Sequence, residues 1–350
     1  MLANAKDPAL GPTQSEDVHN QGLSRKDRIK AKGVTLMDSI KKGLFVVGSA
    51  LIVFSAFRNS VTWHLHNVWG ASGHFWQGIW NSIYDLFGDD NIWLGTLGTT
   101  IFTFVVFWAG NILLLILDTT GWPAFLLKYK IQEDQNVPVD RKKLLKAVNQ
   151  VLFNQIIVGI PFSYTFTHLM IWRGCQFHGG LPSFTWVIFE LIIFSLVEEV
   201  GFYYTHRLFH HPKLYRFIHK RHHEWTAPIG IIALYAHPVE HCLSNLAPIA
   251  LGPVITGSHV ATAWMWFALA LWSTTVSHSG YHFPGLPSPE AHDFHHLKFT
   301  QNYGVLGVLD RLHGTDNQFR EHIAYKRHIL SLSAVPMSQQ FPNPANVKGK

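Results

Sequence analysis

Charged side chains are scarce in this chain. They make up 14% of its 350 residues, whereas soluble domains carry roughly 25%. That deficit, with 47% hydrophobic and 14% aromatic residues, excludes an ordinary soluble domain and points to a membrane protein. Cysteine is nearly absent. Cys175 and Cys242 are the only two, with no Cys-x-x-Cys, which excludes a disulfide framework and a thiolate-rich zinc site. The N-terminus lacks the short apolar core and cleavage site of a secretory signal. No low-complexity tract and no internal repeat beyond histidine clusters occurs. The net charge of +6 and pI near 9.2 raise a nucleic-acid partner. The basic residues lie beside hydrophobic spans, however, where they set membrane orientation, so no nucleic acid is expected.

The hydrophobic runs predict an all-α integral membrane protein. Residues 1–42 read as a polar, poorly ordered cytosolic tail with a basic run from Arg25 to Lys42. Residues 43–200 read as transmembrane helices and loops. A short apolar stretch lies at 43–57, charge-free runs at 92–117 and 150–172, and a return span at 183–200 that contains Glu190. Trp63, Trp69, Trp76 and Trp80 suit an interfacial belt on the far side. Lys128, Lys130, Arg141, Lys142, Lys143 and Lys146 place 118–149 in the cytosol by the positive-inside rule. Residues 201–330 form a histidine-rich region that includes a membrane hairpin at 242–277. Residues 331–350 read as a flexible tail.

Histidine is what the chain has in excess. Fourteen of its 23 histidines fall within 206–296. Two clusters, His219/His222/His223 and His292/His295/His296, share the spacing His-x-x-His-His; His206/His210 and His278/His282 are separated by four. On a helix such positions share one face, and imidazole is a common ligand for iron, zinc, copper and nickel. Ten histidines fit the spacing: His206, His210, His219, His222, His223, His278, His282, His292, His295 and His296. Divided between two metals, they give about five each. His211 lies five residues from His206, farther round the helix, and is an alternative to His210.

The metal follows from what the site must do. A closed structural zinc site takes four ligands, too few for this set. The metalloprotease motif His-Glu-x-x-His is absent. A carboxylate-bridged di-iron bundle uses Glu-x-x-His on facing helices, and neither the hydrophobic nor the histidine-rich segments carry it. Zinc has no redox chemistry. A pair of irons that activates dioxygen is the remaining reading with a chemical purpose.

The stretches HRLFHHPKLYRFIHKRHHEWTAPIG, YAHPVEH, HSGYHFP, HDFHH and NYGVLGVLDRLHGTD resemble the fatty acid hydroxylase/sterol desaturase superfamily, and within it the C4-methylsterol oxidase branch, over roughly 190–316. The resemblance implies a non-haem di-iron monooxygenase of the endoplasmic reticulum membrane, with N-terminus, histidine boxes and C-terminus cytosolic. It implies two iron ions, dioxygen, and electrons from NAD(P)H through a separate cytochrome b5 and its reductase. The implied reaction is oxidation of a sterol C4-methyl group. Hydroxylation or desaturation of an acyl chain or sphingolipid, and a non-catalytic regulator that keeps the fold, are the alternatives. The chain departs from the branch at His282, where Asp is common, and at Leu234, where Glu is usual. His237, Glu240, His241, Asp293 and Asp310 lie where residues that orient ligating imidazoles would stand.

Overall fold

A run of apolar residues can satisfy its backbone polar groups inside a bilayer by forming a helix. In the computed structural model, which describes residues 25–343, the chain is helical with no β-strand among the described residues. The expectations placed on 1–24 and 344–350 lie outside those residues. The first helix, α1, runs from Arg25 to Leu86. It takes in the basic run Arg25–Lys42, read above as poorly ordered. The correction has a local cause: no proline interrupts residues 25–86, and only proline would impose a strong break. Gly88 and Asp89, both with positive φ, end it, and Asp90 caps the next helix by accepting from Ile92 N (2.7 Å) and Trp93 N (3.1 Å).

The chain falls into two units, one ending at Ser72 and one beginning at Gly73. The second holds everything that follows. The last turns of α1 are tied to the loop after residue 174: Trp80 Nε1 donates to Phe177 O (3.0 Å) and Gln77 Nε2 to Gly179 O (2.9 Å). Helices α2 (Asn91–Thr120) and α3 (Arg141–Arg173) are long and apolar enough to cross a membrane. Each contains a π-helical turn, Leu94–Gly98 and Asn154–Val158. Their large apolar side chains turn outward: Leu113 is 74% exposed and Trp172 81%. A lipid solvent accounts for that; water would not.

Four spans and a hairpin were expected. The stretch 43–57 lies inside α1, and 183–200 inside α4 (Phe184–Phe209). Among the described residues, α2 and α3 alone meet the length and hydropathy required of a span. The 242–277 segment is a helical hairpin, α5 (Ala247–Thr256) and α6 (Val260–His278), turned at Gly257 in the left-handed region. Helix α5 packs tightly on α4, since a Cβ at Gly252 would lie 2.9 Å from Phe194 Cα. One aromatic core joins Trp80, Phe166, Phe194, Trp264 and Phe267; a second joins Phe107, Val151, Trp225 and Ile229–Tyr235. Cys175 and Cys242 are free thiols. The C-terminal stretch is not free of structure within the described residues: Met337–Gln340 is helical and Met337 is buried.

Candidate metal centre

The four histidine clusters converge beneath these helices. His206 comes from the last turns of α4, and His210 caps it. His219, His222 and His223 lie in a 3₁₀ turn, His219–Glu224. His278 is the last residue of α6, and His292, His295 and His296 stand on α7 (Glu290–Lys298). They form two groups, each with one nitrogen per ring within 4.8 Å of the others: His206, His210, His219, His223 and His295; and His222, His278, His292 and His296. Each His-x-x-His-His box is therefore divided between the groups. Adjacent histidines diverge, so one box serves both groups and fixes them side by side, with the His223 and His296 rings 4.8 Å apart.

Backbone carbonyls aim the rings. The Nδ1–H of His206 donates to Tyr303 O (2.8 Å), that of His222 to Tyr235 O (3.1 Å), and that of His278 to Thr274 O (2.8 Å). His295 donates to Gln301 O (2.7 Å) and His296 to Trp225 O (2.9 Å). Donation at Nδ1 fixes the tautomer and leaves each Nε2 with a free lone pair. Nε2 atoms then face one another. The separations are 3.2 Å for His206/His219, 3.0 Å for His219/His223, 3.2 Å for His210/His295, and 2.8 Å for His278/His292. A metal–imidazole bond is about 2.0–2.1 Å, so ligand nitrogens at angles between 90° and the tetrahedral value around one ion sit about 2.8–3.4 Å apart, as these do. His296 Nε2 is buried with no partner. The donor set, all imidazole nitrogen, fits a pair of borderline transition-metal ions.

Burial keeps these rings neutral. It pushes His222 down to about 4 and holds His219, His223, His292, His295 and His296 well below the ordinary imidazole value. Neutral imidazole is the form that binds metal.

His282 is the one residue of the expected ten that the fold keeps out. Its Nε2–H donates to Ile329 O (3.1 Å), and its Nδ1 lies 3.5 Å from Glu290 Oε1. Helix α6 ends at His278, and Gly280 turns into the left-handed region with φ 73°. The four-residue spacing thus has no helix to act on. His211 is likewise outside: exposed, it caps the Pro212–Tyr215 turn. Of the residues expected to orient ligands, Glu240 accepts from His219 Nδ1 at 2.7 Å with both groups buried. Asp310 acts at one remove, accepting from Tyr303 N (2.8 Å) and Gly304 N (2.7 Å) and so fixing the carbonyl that His206 uses. Asp293 is held by Gln132 Nε2 at 3.1 Å and touches no ligand ring; burial raises it to about 7. His237 caps a turn by accepting from Val239 N, and His241 is buried 3.5 Å from Asn245 Nδ2, away from both groups.

Sequence reasoning passed over Glu199. Its carboxylate accepts from Val305 N (2.9 Å), Leu306 N (2.7 Å) and Leu309 N (2.9 Å), clamping the loop that carries Tyr303 onto α4. An acid in an apolar helix one residue from another, Glu198, was the available signal.

A cavity of about 590 Å³ reaches both groups. His206, His219, His222, His278 and His292 form part of its wall, Phe202, Leu246, Ile249, Trp266 and Leu271 are among its apolar lining, and the buried carboxylate Glu240 also lines it. Leu234 lines it too.

The fatty acid hydroxylase family model matches residues 191–315. Fatty acid hydroxylase domain-containing protein 2 of Homo sapiens is 52% identical over 309 residues, 87% of this chain and 92% of that protein. A putative methylsterol monooxygenase of Dictyostelium discoideum is 33% identical over 254 residues, covering 70% and 91%. A very-long-chain aldehyde decarbonylase of Oryza sativa is 33% identical over 240 residues, covering 65% and 87%. No solved structure matches. On the histidine architecture and this likeness along most of its length, the chain belongs to the fatty acid hydroxylase family of membrane-bound lipid oxidoreductases.

Proposed function

We propose that the protein is a di-iron monooxygenase that oxidises the C4-methyl group of a sterol at the cytosolic face of the endoplasmic reticulum membrane. The observation that carries this reading is the cavity itself: one largely apolar space, of a size suited to a lipid, walled by imidazoles of both groups. Likeness to a putative methylsterol monooxygenase supports the substrate. The imidazole groups fit two irons, which would supply reductive activation of dioxygen. His206, His210, His219, His223 and His295 would hold one ion and His222, His278, His292 and His296 the other.

The chain's own residues do the rest. Carbonyls of Tyr303, Tyr235, Thr274, Gln301 and Trp225 orient the ligands. Glu240 holds the proton at His219 Nδ1 so that Nε2 stays free. Leu246, Ile249, Trp266 and Leu271 exclude water and position an apolar substrate. Four or more membrane helices are proposed for the chain, and among them α2, α3 and α4 with the α5–α6 hairpin would embed the cavity in the bilayer.

Electrons would arrive from NAD(P)H through cytochrome b5 and its reductase, docking on the exposed Lys213, Arg216 and Lys220, with the Arg216 guanidinium 4.3 Å over the ring of the exposed Phe217. Arg221, the fourth basic residue there, is engaged with Gln150 Oε1 at 2.8 Å. Acidic partners are steered by such surfaces. Reversing the three exposed charges should slow reduction and flatten its salt dependence; unchanged kinetics would sink the docking site.

The function is tested by reducing the iron-loaded protein under dioxygen with a cytochrome b5 donor and a membrane lipid extract. Oxidised C4-methyl sterol should accumulate, and His222→Ala should abolish it. A hydroxylated acyl chain instead would assign the acyl-hydroxylase alternative. No turnover with full iron loading and a competent donor would overturn the enzymatic reading.

A further inference from the structure

One side of the five-imidazole group faces tyrosine. The Tyr303 ring centroid lies 5.0 Å from that of His210, 5.7 Å from His295 and 5.8 Å from His206. Tyr203, fully buried on α4, meets Tyr303 edge-on at 6.3 Å. Its other side stacks on His313 at 5.3 Å with the planes 13° apart. His313 is exposed and bonded to the hydroxyl of the half-exposed Tyr204 at 3.0 Å. A file of rings thus joins the metal-binding group to the protein surface.

The Tyr203 hydroxyl also has a path for its proton. It accepts from Arg207 Nη1 (3.0 Å) and lies 3.2 Å from Thr315 Oγ1. Thr315 donates in turn to Asp310 Oδ1 (2.6 Å), which leaves Tyr203 as the donor to Thr315. Asp310 is buried, and burial raises its carboxyl above the ordinary range, making it a better proton acceptor. Tyr303 has no hydroxyl hydrogen bond among the described residues. The two rings therefore differ: Tyr303 lies closer to the imidazoles, but Tyr203 alone can lose an electron and a proton together. A phenol reduces only a strongly oxidising partner, so this wiring is idle at a resting metal site.

We propose that Tyr203 is a one-electron outlet that discharges the metal site when it becomes strongly oxidised with no lipid in the cavity; this rests on the redox metal centre proposed above. The Tyr203 O–H bond breaks. Its electron passes through the Tyr303 ring and reduces the oxidised site by one equivalent. Its proton passes to Thr315 as the Thr315 proton passes to Asp310. Tyr203 is left as a neutral radical. A soluble thiol, the reductant, restores it by giving one electron at the Tyr204–His313 edge and its proton to water, while the proton on Asp310 returns to Tyr203; the thiyl radicals from two such discharges couple to a disulfide. Oxidising equivalents thereby leave by tyrosine instead of consuming the ligand histidines.

The test uses the full chain loaded with iron(II) in detergent without lipid substrate, exposed to dioxygen and freeze-quenched for electron paramagnetic resonance. An organic radical is expected whose hyperfine structure collapses when the protein carries ring-deuterated tyrosine. Tyr203→Phe, which keeps the ring file, should lose it; Thr315→Val should diminish it; Tyr204→Phe should keep it but slow its quenching by thiol. Mass spectrometry should find more oxygen atoms added to the histidines of Tyr203→Phe per dioxygen consumed. If wild type consumes dioxygen without a radical, or Tyr203→Phe keeps the radical, the outlet is overturned and the metal centre stands. Failure to bind iron or consume dioxygen overturns both. Should Tyr203→Phe not load iron, an undiminished radical in Thr315→Val is itself enough to overturn the outlet.

Discussion

At the scale of single residues, the position of one nitrogen decides a role. His278 and His282 look equivalent in sequence, four apart in a histidine pair. In the fold His278 Nε2 lies 2.8 Å from His292 Nε2, whereas both nitrogens of His282 face protein oxygens. His278→Ala should therefore lower bound metal below two ions per chain, measured by elemental analysis, while His282→Ala should leave the stoichiometry unchanged. Equal losses would mean that His282 swings into the site. Glu240 is the outer partner most exposed to test, since it bonds a ligand ring directly. Glu240→Gln keeps the shape but weakens the hold on the His219 proton. Such changes typically cost 10–100-fold in metal affinity, read by competition against a chelator; an affinity within twofold of wild type would rule out the orienting role.

Helix packing sets the cavity wall. Helices α4 and α5 meet where Gly252 faces Phe194, and an added Cβ would lie 2.7 Å from Phe194 Cδ1 and 2.9 Å from its Cα. Alanine would gain up to about 1 kcal/mol of helix propensity. A ring can rotate away, but a backbone atom cannot, so overpacking of about 1–3 kcal/mol should win. Gly252→Ala is expected to lower the melting temperature of the detergent-solubilised protein and to shift α5, which flanks Ile249 in the cavity wall. A raised melting temperature would show that the helices separate freely.

For the whole molecule, folding brings nine neutral imidazoles out of water. Burial holds His222 at about 4 in the folded chain, against 6.5 for the free group. In metal-free protein, as pH falls through 6.5 the unfolded chain takes up a proton that folded His222 refuses until about 4. The contribution is thus complete above 6.5 and is lost on acidification toward 4. The other buried ligands shift in the same direction. Metal-free protein should melt at progressively lower temperature from pH 7 to pH 5, and saturating iron should raise the melting point at pH 7 by mass action. A flat pH profile for the metal-free form would mean that these rings are solvated.

The sequence by itself determined the helical, lipid-facing character of the chain and the identity of nearly all the clustered imidazoles, because hydropathy and the count of a rare residue are local properties. It also made Glu240 a candidate orienting residue. Tertiary structure alone decided how the boxes divide: a 3₁₀ turn at His219–Glu224 and a helix end at His278 break the periodicity that spacing assumes. The other five acceptors that aim the rings are backbone carbonyls, present at every residue and so carrying no sequence signal. The file from Tyr303 through Tyr203 to His313 joins residues about a hundred positions apart. The Glu199 clamp on residues 305–309, with the His206–Tyr303 and Tyr204–His313 hydrogen bonds, closes that distance and brings it into line with the metal centre.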